Sequence, residues 1–228
     1  MSDLLVASCS SDAAKFAVMN WHYSKTMPVG KAYKAGVWEN GAFVGAVLYG
    51  WGANHNLGKP YDLDMTECVE LVRVAMRSHD SFVSQVVARS IRLLKRDNPS
   101  LRLIVSFADP YHDHHGGIYQ AGNWVYAGQS HPKTEYMLNG VILNRRAYTG
   151  DNFGSPKMKL PKGAKPLEVP GKHRYLYPLD KAMRRKIEPL SLPYPRGSSL
   201  KGETLTVPVR GSGSIPESRS IATATDHD

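Results

Sequence analysis

The chain has 228 residues, of which 42% are apolar, enough for one domain of ordinary size and an appendage. No apolar run reaches the roughly 18 residues of a membrane-spanning helix, and the amino terminus lacks the basic leader of a signal peptide. The two cysteines, Cys9 and Cys68, argue against a disulfide framework or a cysteine zinc site, and they predict a reducing, cytoplasmic setting.

The net charge of +9 is unevenly distributed along the chain. Residues 1–150 contain 15 Lys and Arg against 12 Asp and Glu, whereas residues 151–228 contain 14 against 8. A basic carboxyl-terminal part predicts a polyanionic partner, with nucleic acid favoured over a membrane surface. The alternative is a solvated linker whose charge only keeps the protein soluble.

The first predicted element is a short helix over residues 13–19, which begins after the amino-cap residues Ser10-Ser11-Asp12. An aromatic and polar cluster follows it. In one interpretation Trp21 and Tyr23 only anchor the helix to a sheet and His22 is incidental. In the other, His22 faces the end of a central strand and belongs to a site.

Periodicity then predicts a hairpin, a third strand and a long helix, at residues 34–49, 70–76 and 82–95. Asn40-Gly41 between two apolar runs is the strongest short hairpin signal. Arg73 in the third strand either holds an anionic group or lies on the solvent face. Ser84, in the first turn of the long helix, either contacts a phosphate or substrate or bonds to its own backbone.

The central stretch of the sequence packs four short elements into 28 residues, from Leu101 to Gly128. We expect a buried strand at residues 101–107, a polar loop, a short helix at 118–122 and a further strand at 124–127. Asp109 follows the buried strand, either as part of a site or as a cap of the next turn. Since ligands of open α/β sheets lie outside the carboxyl ends of strands, Asp109 and Tyr119 are expected to meet in a pocket there.

Beyond the central stretch we expect a strand over residues 135–143 and a short basic helix over 177–187. Pro and Gly become frequent after residue 150, and the residues from about 198 onward are predicted to be flexible because Gly, Ser, Thr and charge dominate there.

Four motifs carry a resemblance to a known family. They are Trp21-His22-Tyr23-Ser24, Ala108-Asp109-Pro110, Gly117-Ile118-Tyr119-Gln120-Ala121 running into Asn123-Trp124, and the segment KHRYLYPL that begins at Lys172. Over roughly residues 10–195 the chain resembles the Mom family of phage DNA-modification proteins. The order of its elements resembles the GNAT acyltransferase fold, an α/β (α+β) architecture in which helices flank a mixed, mostly antiparallel sheet.

The resemblance implies the addition of a methylcarbamoyl group to the N6 amine of adenine in phage DNA, which protects the DNA from host restriction. It implies double-stranded DNA as partner, with the target adenine flipped out of the helix. The domains expected on this basis are a GNAT-like catalytic domain at residues 1–150, a basic extension packed on it at 151–197, and a flexible tail at 198–228.

Candidate catalytic residues are Asp109, Tyr119, Arg73 and Ser84. Asp109 would read the adenine edge or accept a proton as the new bond forms. Tyr119 would be a general acid, a metal ligand or a stacking partner for the base, and its alternative is ordinary core packing. Arg73 would hold an anionic group of the donor.

Two cofactors follow from the resemblance. Iron is expected at His22, Tyr23 and Asp109; the loop residues His112, His114 and His115 are a weaker metal signal. The fold implies acyl-CoA, whose pyrophosphate GNAT enzymes bind at a Gly-rich turn. Here the turn from Arg77 to Phe82 has no glycine, which departs from the GNAT pattern. The candidate cofactor-binding residues in this turn are Arg77 and Ser81. The negative charge of Asp80 would oppose the binding of an anion.

The expected phosphate contacts are basic residues of the extension, namely Lys172, His173, Arg174, Arg184, Arg185 and Lys186. Phosphate contacts predict weak sequence preference and strong salt dependence. A conventional GNAT acetyltransferase on a small amine or protein lysine, and a non-catalytic DNA-binding protein, remain as alternatives. The sequence leaves open whether the protein is a monomer or a homodimer.

Overall fold

The structure is a computed structural model that describes residues 3–51, 56–143, 148 and 158–196. The strands in this part of the chain are β1 Leu4–Ser8, β2 Ala32–Glu39, β3 Ala42–Gly50, β4 Cys68–Met76, β5 Leu103–Ala108, β6 Val125–Gln129, β7 Lys133–Leu138, β8 Val141–Leu143, β9 Lys165–Val169 and β10 His173–Pro178. The main helices are α1 Ser11–Trp21, α2 Val83–Asp97, the single turn α3 Gly117–Gln120, and α4 Lys181–Ile187.

Seven strands form a central sheet in the order β1-β2-β3-β4-β5-β10-β6. Every neighbouring pair in it is antiparallel except β4 and β5, which are parallel. A second, three-stranded sheet has the order β8-β7-β9. The predicted mixed, mostly antiparallel sheet is therefore confirmed.

Helices cover both faces of the central sheet. Along β5, Ile104 packs with the apolar side of α2, whereas Leu103 and Val105 pack with Met183 and Ile187 of α4. Because side chains alternate across a strand, α2 and α4 lie on opposite faces. The helix α1 packs against β3 and β4 beside Leu48, on the face away from α2. This arrangement confirms the predicted α/β architecture, in which helices flank a mixed, mostly antiparallel sheet.

The parallel pair β4–β5 opens partway along its length. Its pairing runs from Cys68–Leu103 to Leu71–Ser106, and the described residues beyond it in both strands do not pair with each other. At the same level the β3–β4 register skips one residue, since Leu48 pairs with Arg73 and Tyr49 with Leu71. Val72 is thus the extra residue of a bulge, and bulges increase the local twist of a strand. The result is a V-shaped gap between β4 and β5.

Several segments differ from the sequence prediction. The strands β1, β9 and β10 were not predicted, and the expected strand over 135–143 is two strands joined by Asn139-Gly140, both with positive φ. The basic helix begins at Lys181 rather than residue 177, because β10 runs to Pro178 and Asp180 caps the helix through its side chain. The predicted hairpin at Asn40-Gly41, the third strand and the long helix are confirmed.

The predicted basic extension at 151–197 contributes β10 to the central sheet, where it lies between β5 and β6. The predicted tail at 198–228 lies outside the described residues. In the described part of the chain, no helix combines the length and the apolar character that crossing a membrane requires.

Substituting Leu for Ala17 tests the close packing of α1. Ala17 is fully buried against a cluster that includes Ala46 and Ala75, so a larger side chain must displace the helix or the sheet. We expect Ala17→Leu to lower the free energy of unfolding by about 1–3 kcal/mol in urea denaturation. Lys15→Leu, on the exposed side of the same helix, is the matched control and is expected to change stability by less than about 0.5 kcal/mol. Equal stability of the two variants would contradict this packing.

Candidate active site

A cavity of about 630 Å³ occupies the gap between β4 and β5. It lies within the roughly 300–1,000 Å³ range of small-molecule sites. Its walls come from the end of α1, the bulged half of β4, the end of β5 and the loop that leads into α3. The lining residues that carry polar or aromatic groups are Trp21, His22, Tyr23, Arg73, Phe107, Asp109, Asp113, His114, His115 and Tyr119.

Asp109 lies at the carboxyl end of β5 and makes two contacts. Its Oδ1 accepts a hydrogen bond from the backbone N–H of Tyr111 at 3.1 Å, which is the predicted capping role. Its Oδ2 forms an ion pair with Lys172 Nζ at 2.8 Å. Burial alone would raise the pKa of Asp109, but the hydrogen bond and charge of Lys172 outweigh it and hold the pKa below its usual value. The carboxylate is therefore ionised at neutral pH.

Lys172 reaches Asp109 because two hydrogen bonds to Ser130, the residue after β6, fix the backbone of Lys172. Its N–H donates to Ser130 Oγ and its carbonyl accepts from the Ser130 N–H, both at 2.9 Å. Gly171 makes this approach possible, since a Cβ there would collide with the Ser130 carbonyl. A residue from the predicted DNA-binding set thus lies against the predicted catalytic carboxylate, 63 positions away in sequence.

Tyr119 lines the same cavity but is nearly buried, with 8% of its surface exposed. Its ring packs at 5.0 Å from both Trp124 and Tyr175, and its hydroxyl shares a 2.7 Å hydrogen bond with Ser106 Oγ. Burial raises the pKa of Tyr119 to about 12. The phenol is therefore neutral at physiological pH, and its two ring neighbours give it the core-packing role as well as a place at the cavity wall.

Arg73 follows the bulge residue of β4 and points into the gap. Its guanidinium donates to the carbonyl of Val72 at 2.7 Å and to the carbonyl of Thr26 at 3.2 Å. Burial lowers its pKa, but an arginine remains charged throughout the ordinary pH range. Arg73 therefore supplies a fixed positive charge to the cavity and ties the loop after α1 to β4.

His22 is held in one tautomer by a tight turn. The Ser24 N–H donates to His22 Nδ1 at 3.1 Å, and Ser24 Oγ lies 2.8 Å from the same nitrogen. The neutral imidazole consequently carries its hydrogen on Nε2. Burial, followed by the charge of Arg73, lowers the pKa of His22 to about 4, so the ring is neutral above mildly acidic pH.

The expected iron site does not fit these contacts. An iron ion at His22 Nε2 would require the ring hydrogen on Nδ1, where it would meet the Ser24 N–H. Asp109 is ion-paired with Lys172, so an iron cation bound to the carboxylate would compete with that ammonium group. Within the described ranges, no three His, Cys, Asp or Glu side chains form a group that could hold a metal ion. Iron at His22, Tyr23 and Asp109 thus stays a prediction from the resemblance, and no chemical step is derived through it.

The turn between β4 and α2 is already occupied by a carboxylate. Glu39, at the end of β2, accepts the backbone N–H of Asp80 at 2.7 Å and that of Ser81 at 2.8 Å, and it also bonds the Ser81 hydroxyl. These are the backbone groups that the GNAT resemblance assigned to a pyrophosphate. As arranged, the turn does not fit acyl-CoA, because a buried side chain takes the place of the anion.

The other predicted site residues lie apart from the cavity lining. Arg77 stacks its guanidinium over Trp21 at 6.0 Å, and Ser84 lies in the first turn of α2. Arg174 donates to the Ala127 carbonyl at 2.9 Å, and its Nε is buried without a hydrogen-bond partner. His173 Nδ1 lies 3.0 Å from the Tyr126 hydroxyl.

Three further basic residues, Arg184, Arg185 and Lys186, form an exposed group in the last turn of α4. Lys186 pairs there with Asp62 at 2.8 Å.

The sequence missed two features of the site. Lys172 was predicted only as a phosphate contact, and β10, which positions it, was not predicted as a strand. Two tyrosines that flank Leu176, namely Tyr175 and Tyr177, have high strand propensity and could have indicated β10. The contact of Glu39 with the β4–α2 turn had no signal in the sequence, since it joins residues 41 and 42 positions apart.

Substituting Gln for Glu39 tests whether the carboxylate holds the turn. The variant loses the charge and one of the two acceptor oxygens that bond the start of α2, so we expect the free energy of unfolding to fall by about 1–3 kcal/mol. Urea denaturation measures this. The exposed Asp64→Asn variant provides the control, and an equally small loss for both would show that Glu39 is not a structural anion.

Comparison with known proteins adds independent information about this chain. The family model described as the Mom protein family matches residues 3–196. The methylcarbamoylase Mom of Escherichia phage Mu is 24% identical over 204 residues, which cover 85% of this chain and 84% of that protein.

Among solved structures, a Bacillus subtilis acetyltransferase in complex with CoA is similar with a TM-score of 0.46 and 12% identity, covering 79% of this chain and 100% of that one. The spermidine/spermine N-acetyltransferase of Vibrio cholerae is similar with a TM-score of 0.44 and 10% identity, covering 80% and 96%. Since the family model extends over nearly all of the described residues, the chain belongs to the Mom protein family.

Proposed function

We propose that this chain transfers a methylcarbamoyl-type group to the N6 amine of adenine in phage DNA and so protects the DNA from host restriction. Membership of the Mom family makes the chain a transferase. The observation that carries the finer proposal is one cavity, in the gap between β4 and β5, that brings together Asp109, Tyr119 and Arg73.

The chemistry requires a base that accepts a proton from the amine. The adenine N6 lone pair is delocalised into the ring, so the amine is a poor nucleophile until its proton is removed as the new bond forms. Asp109 is ionised and faces the cavity, and in this proposal it accepts the N6 proton or the N6–H hydrogen bond. Lys172 holds the carboxylate in place and moderates its charge.

Arg73 supplies the positive charge at the opposite wall of the gap. In this proposal it stabilises negative charge that develops on the transferred carbonyl group or on the donor. Tyr119, neutral at physiological pH, contributes the buried floor and a hydroxyl held by Ser106.

The donor differs from acyl-CoA in this proposal, because Glu39 occupies the amide groups of the β4–α2 turn. The same contact argues against a conventional GNAT acetyltransferase. A cytoplasmic location in the infected bacterial cell is part of the proposal.

Asp109→Asn tests the central assignment. The variant keeps the shape of the side chain but removes the basic carboxylate, so we expect modified adenosine to fall by about 100-fold or more. Bacteria that express the protein are harvested, and their DNA is digested to nucleosides for mass spectrometry. Asp64→Asn, an exposed carboxylate near β4, is the control and should retain the wild-type level.

The outcomes of this experiment separate the competing functions. Unmodified DNA together with CoA-dependent acetylation of amines would replace the proposal with a conventional acetyltransferase. Unmodified DNA with salt-sensitive binding retained would leave a non-catalytic DNA-binding protein. Full modification by the Asp109→Asn variant would remove Asp109 from the chemistry.

The exposed basic residues at the end of α4 are proposed as phosphate contacts. Each contact that is lost should make the slope of log affinity against log salt shallower by about 0.9. We therefore expect Arg184→Gln combined with Arg185→Gln to weaken DNA binding and to reduce this slope, measured by fluorescence anisotropy from low to moderate salt. Arg96→Gln, which removes an exposed charge from α2, should leave the slope unchanged. Identical slopes for all three proteins would exclude α4 from the DNA interface.

A further inference from the structure

Aromatic and imidazole rings from two segments meet at one wall of the cavity. Tyr23 follows α1, and His112 and His114 belong to the loop after β5. The ring centroid of Tyr23 lies 4.7 Å from that of His112 and 5.2 Å from that of His114. On its own segment, His22 lies 4.3 Å from the Tyr23 ring. Four rings are thus packed together beside the cavity.

Tyr23 keeps an open surface in spite of these neighbours. Half of it, 51%, is exposed, and the side chain lines the cavity. A tyrosine ring fixed by neighbouring rings but open on one side presents a preformed flat surface, which needs little ordering when a ligand binds. The position therefore suits a planar, aromatic ligand.

Tyr119, the residue that the sequence suggested for base stacking, is poorly placed for that role. It is 8% exposed, and the rings of Trp124 and Tyr175 pack against it at 5.0 Å each. A purine could not take a ring face there without displacing one of these buried neighbours. Tyr23 also has ring neighbours, but half of its surface remains exposed.

A purine extruded from duplex DNA loses its stacking on the adjacent bases and gains by stacking on an aromatic side chain. The loop that carries His112 and His114 begins at Asp109, and both Asp109 and Tyr23 line the cavity. A base stacked on Tyr23 therefore lies in the same cavity as the carboxylate that would receive its N6 proton.

We propose that Tyr23 is the stacking surface for the extruded adenine and that His112 and His114 hold the tyrosine ring in orientation. Tyr119 then supports the cavity floor. This inference rests on the proposed function, since adenine is the ligand, but it concerns binding of the base and is tested without catalysis.

The test compares the binding of two short DNA duplexes, one with a single unpaired adenine and one with an abasic site at the same position. Fluorescence anisotropy measures the ratio of the two affinities at constant salt. Since both duplexes offer the same phosphates, the ratio isolates recognition of the base. We expect the wild-type protein to prefer the unpaired adenine, and Tyr23→Leu to reduce that preference by at least about fivefold.

Two further variants separate stacking from other roles. Tyr23→Phe keeps the ring and removes the hydroxyl, so its preference should equal that of the wild type. Tyr111→Leu is the matched control: Tyr111 is 43% exposed and its ring lies 5.4 Å from His112, but it does not line the cavity. Its preference should also be unchanged. Circular dichroism and urea denaturation confirm that each variant is folded.

Three results would overturn the inference. They are an undiminished preference in folded Tyr23→Leu, a loss in Tyr23→Phe as large as in Tyr23→Leu, and a wild-type protein that modifies adenine in cells but shows no preference for the unpaired base. The last result leaves the proposed function intact. A wild-type preference that depends on Tyr23, without modified adenosine in cells, would support stacking and count against the proposed function.

Discussion

The opening between β4 and β5 is the feature on which the rest of the site depends. The two strands pair only as far as Leu71 and Ser106, and a single extra residue, Val72, twists β4 away from its neighbour. The parted strands leave backbone groups that need partners. Ser106 Oγ donates to the Leu71 carbonyl at 2.9 Å, and Arg73 covers the Val72 carbonyl. Of these two side chains, Arg73 also lines the cavity, and Ser106 bonds to Tyr119, which lines it too.

The carboxylate at the cavity wall depends on a distant part of the chain. Asp109 directly follows β5, and Lys172 directly precedes β10, the strand that lies beside β5. The pairing of His173 with Ala108 brings the residues before β10 next to the residues after β5. A half-buried carboxylate without a cation would be costly, so the insertion of β10 in the sheet is a condition for an ionised Asp109. The basic carboxyl-terminal part therefore has a structural role in the site as well as its proposed role on DNA.

The β4–α2 turn keeps the backbone N–H groups of an anion site, but a carboxylate of the same chain binds them. Backbone N–H groups at the start of a helix attract an anion, and in this chain Glu39 is that anion. The carboxylate is buried and its hydrogen bonds tie the β2–β3 hairpin to α2. An external pyrophosphate would have to displace it. The group that determines donor choice is therefore better sought among the residues of the open cavity, such as Arg73, than at this turn.

The sequence by itself determined the local elements and the residue types of the site. Asn40-Gly41 specified the first hairpin, the 3.6-residue period specified α2, and a strand that ends at an acidic residue specified the position of Asp109. These features depend on neighbours a few residues apart, which a pattern can reveal. The same Asn-Gly signal at residues 139–140 correctly marks a turn, although the prediction overlooked it.

Apart from Asp109 and Tyr119, which were expected in one pocket, only the tertiary structure decided which side chains meet. Lys172 with Asp109, Glu39 with Ser81, and Tyr23 with His112 are pairs separated by 42 to 89 positions, and no periodicity encodes them. Their meeting depends on the strand order of the sheet, on the insertion of β10, and on the small alanines that bring α1 close to β3 and β4. Long-range contacts follow from the packing of whole elements, and packing is a property of the folded chain rather than of any one segment.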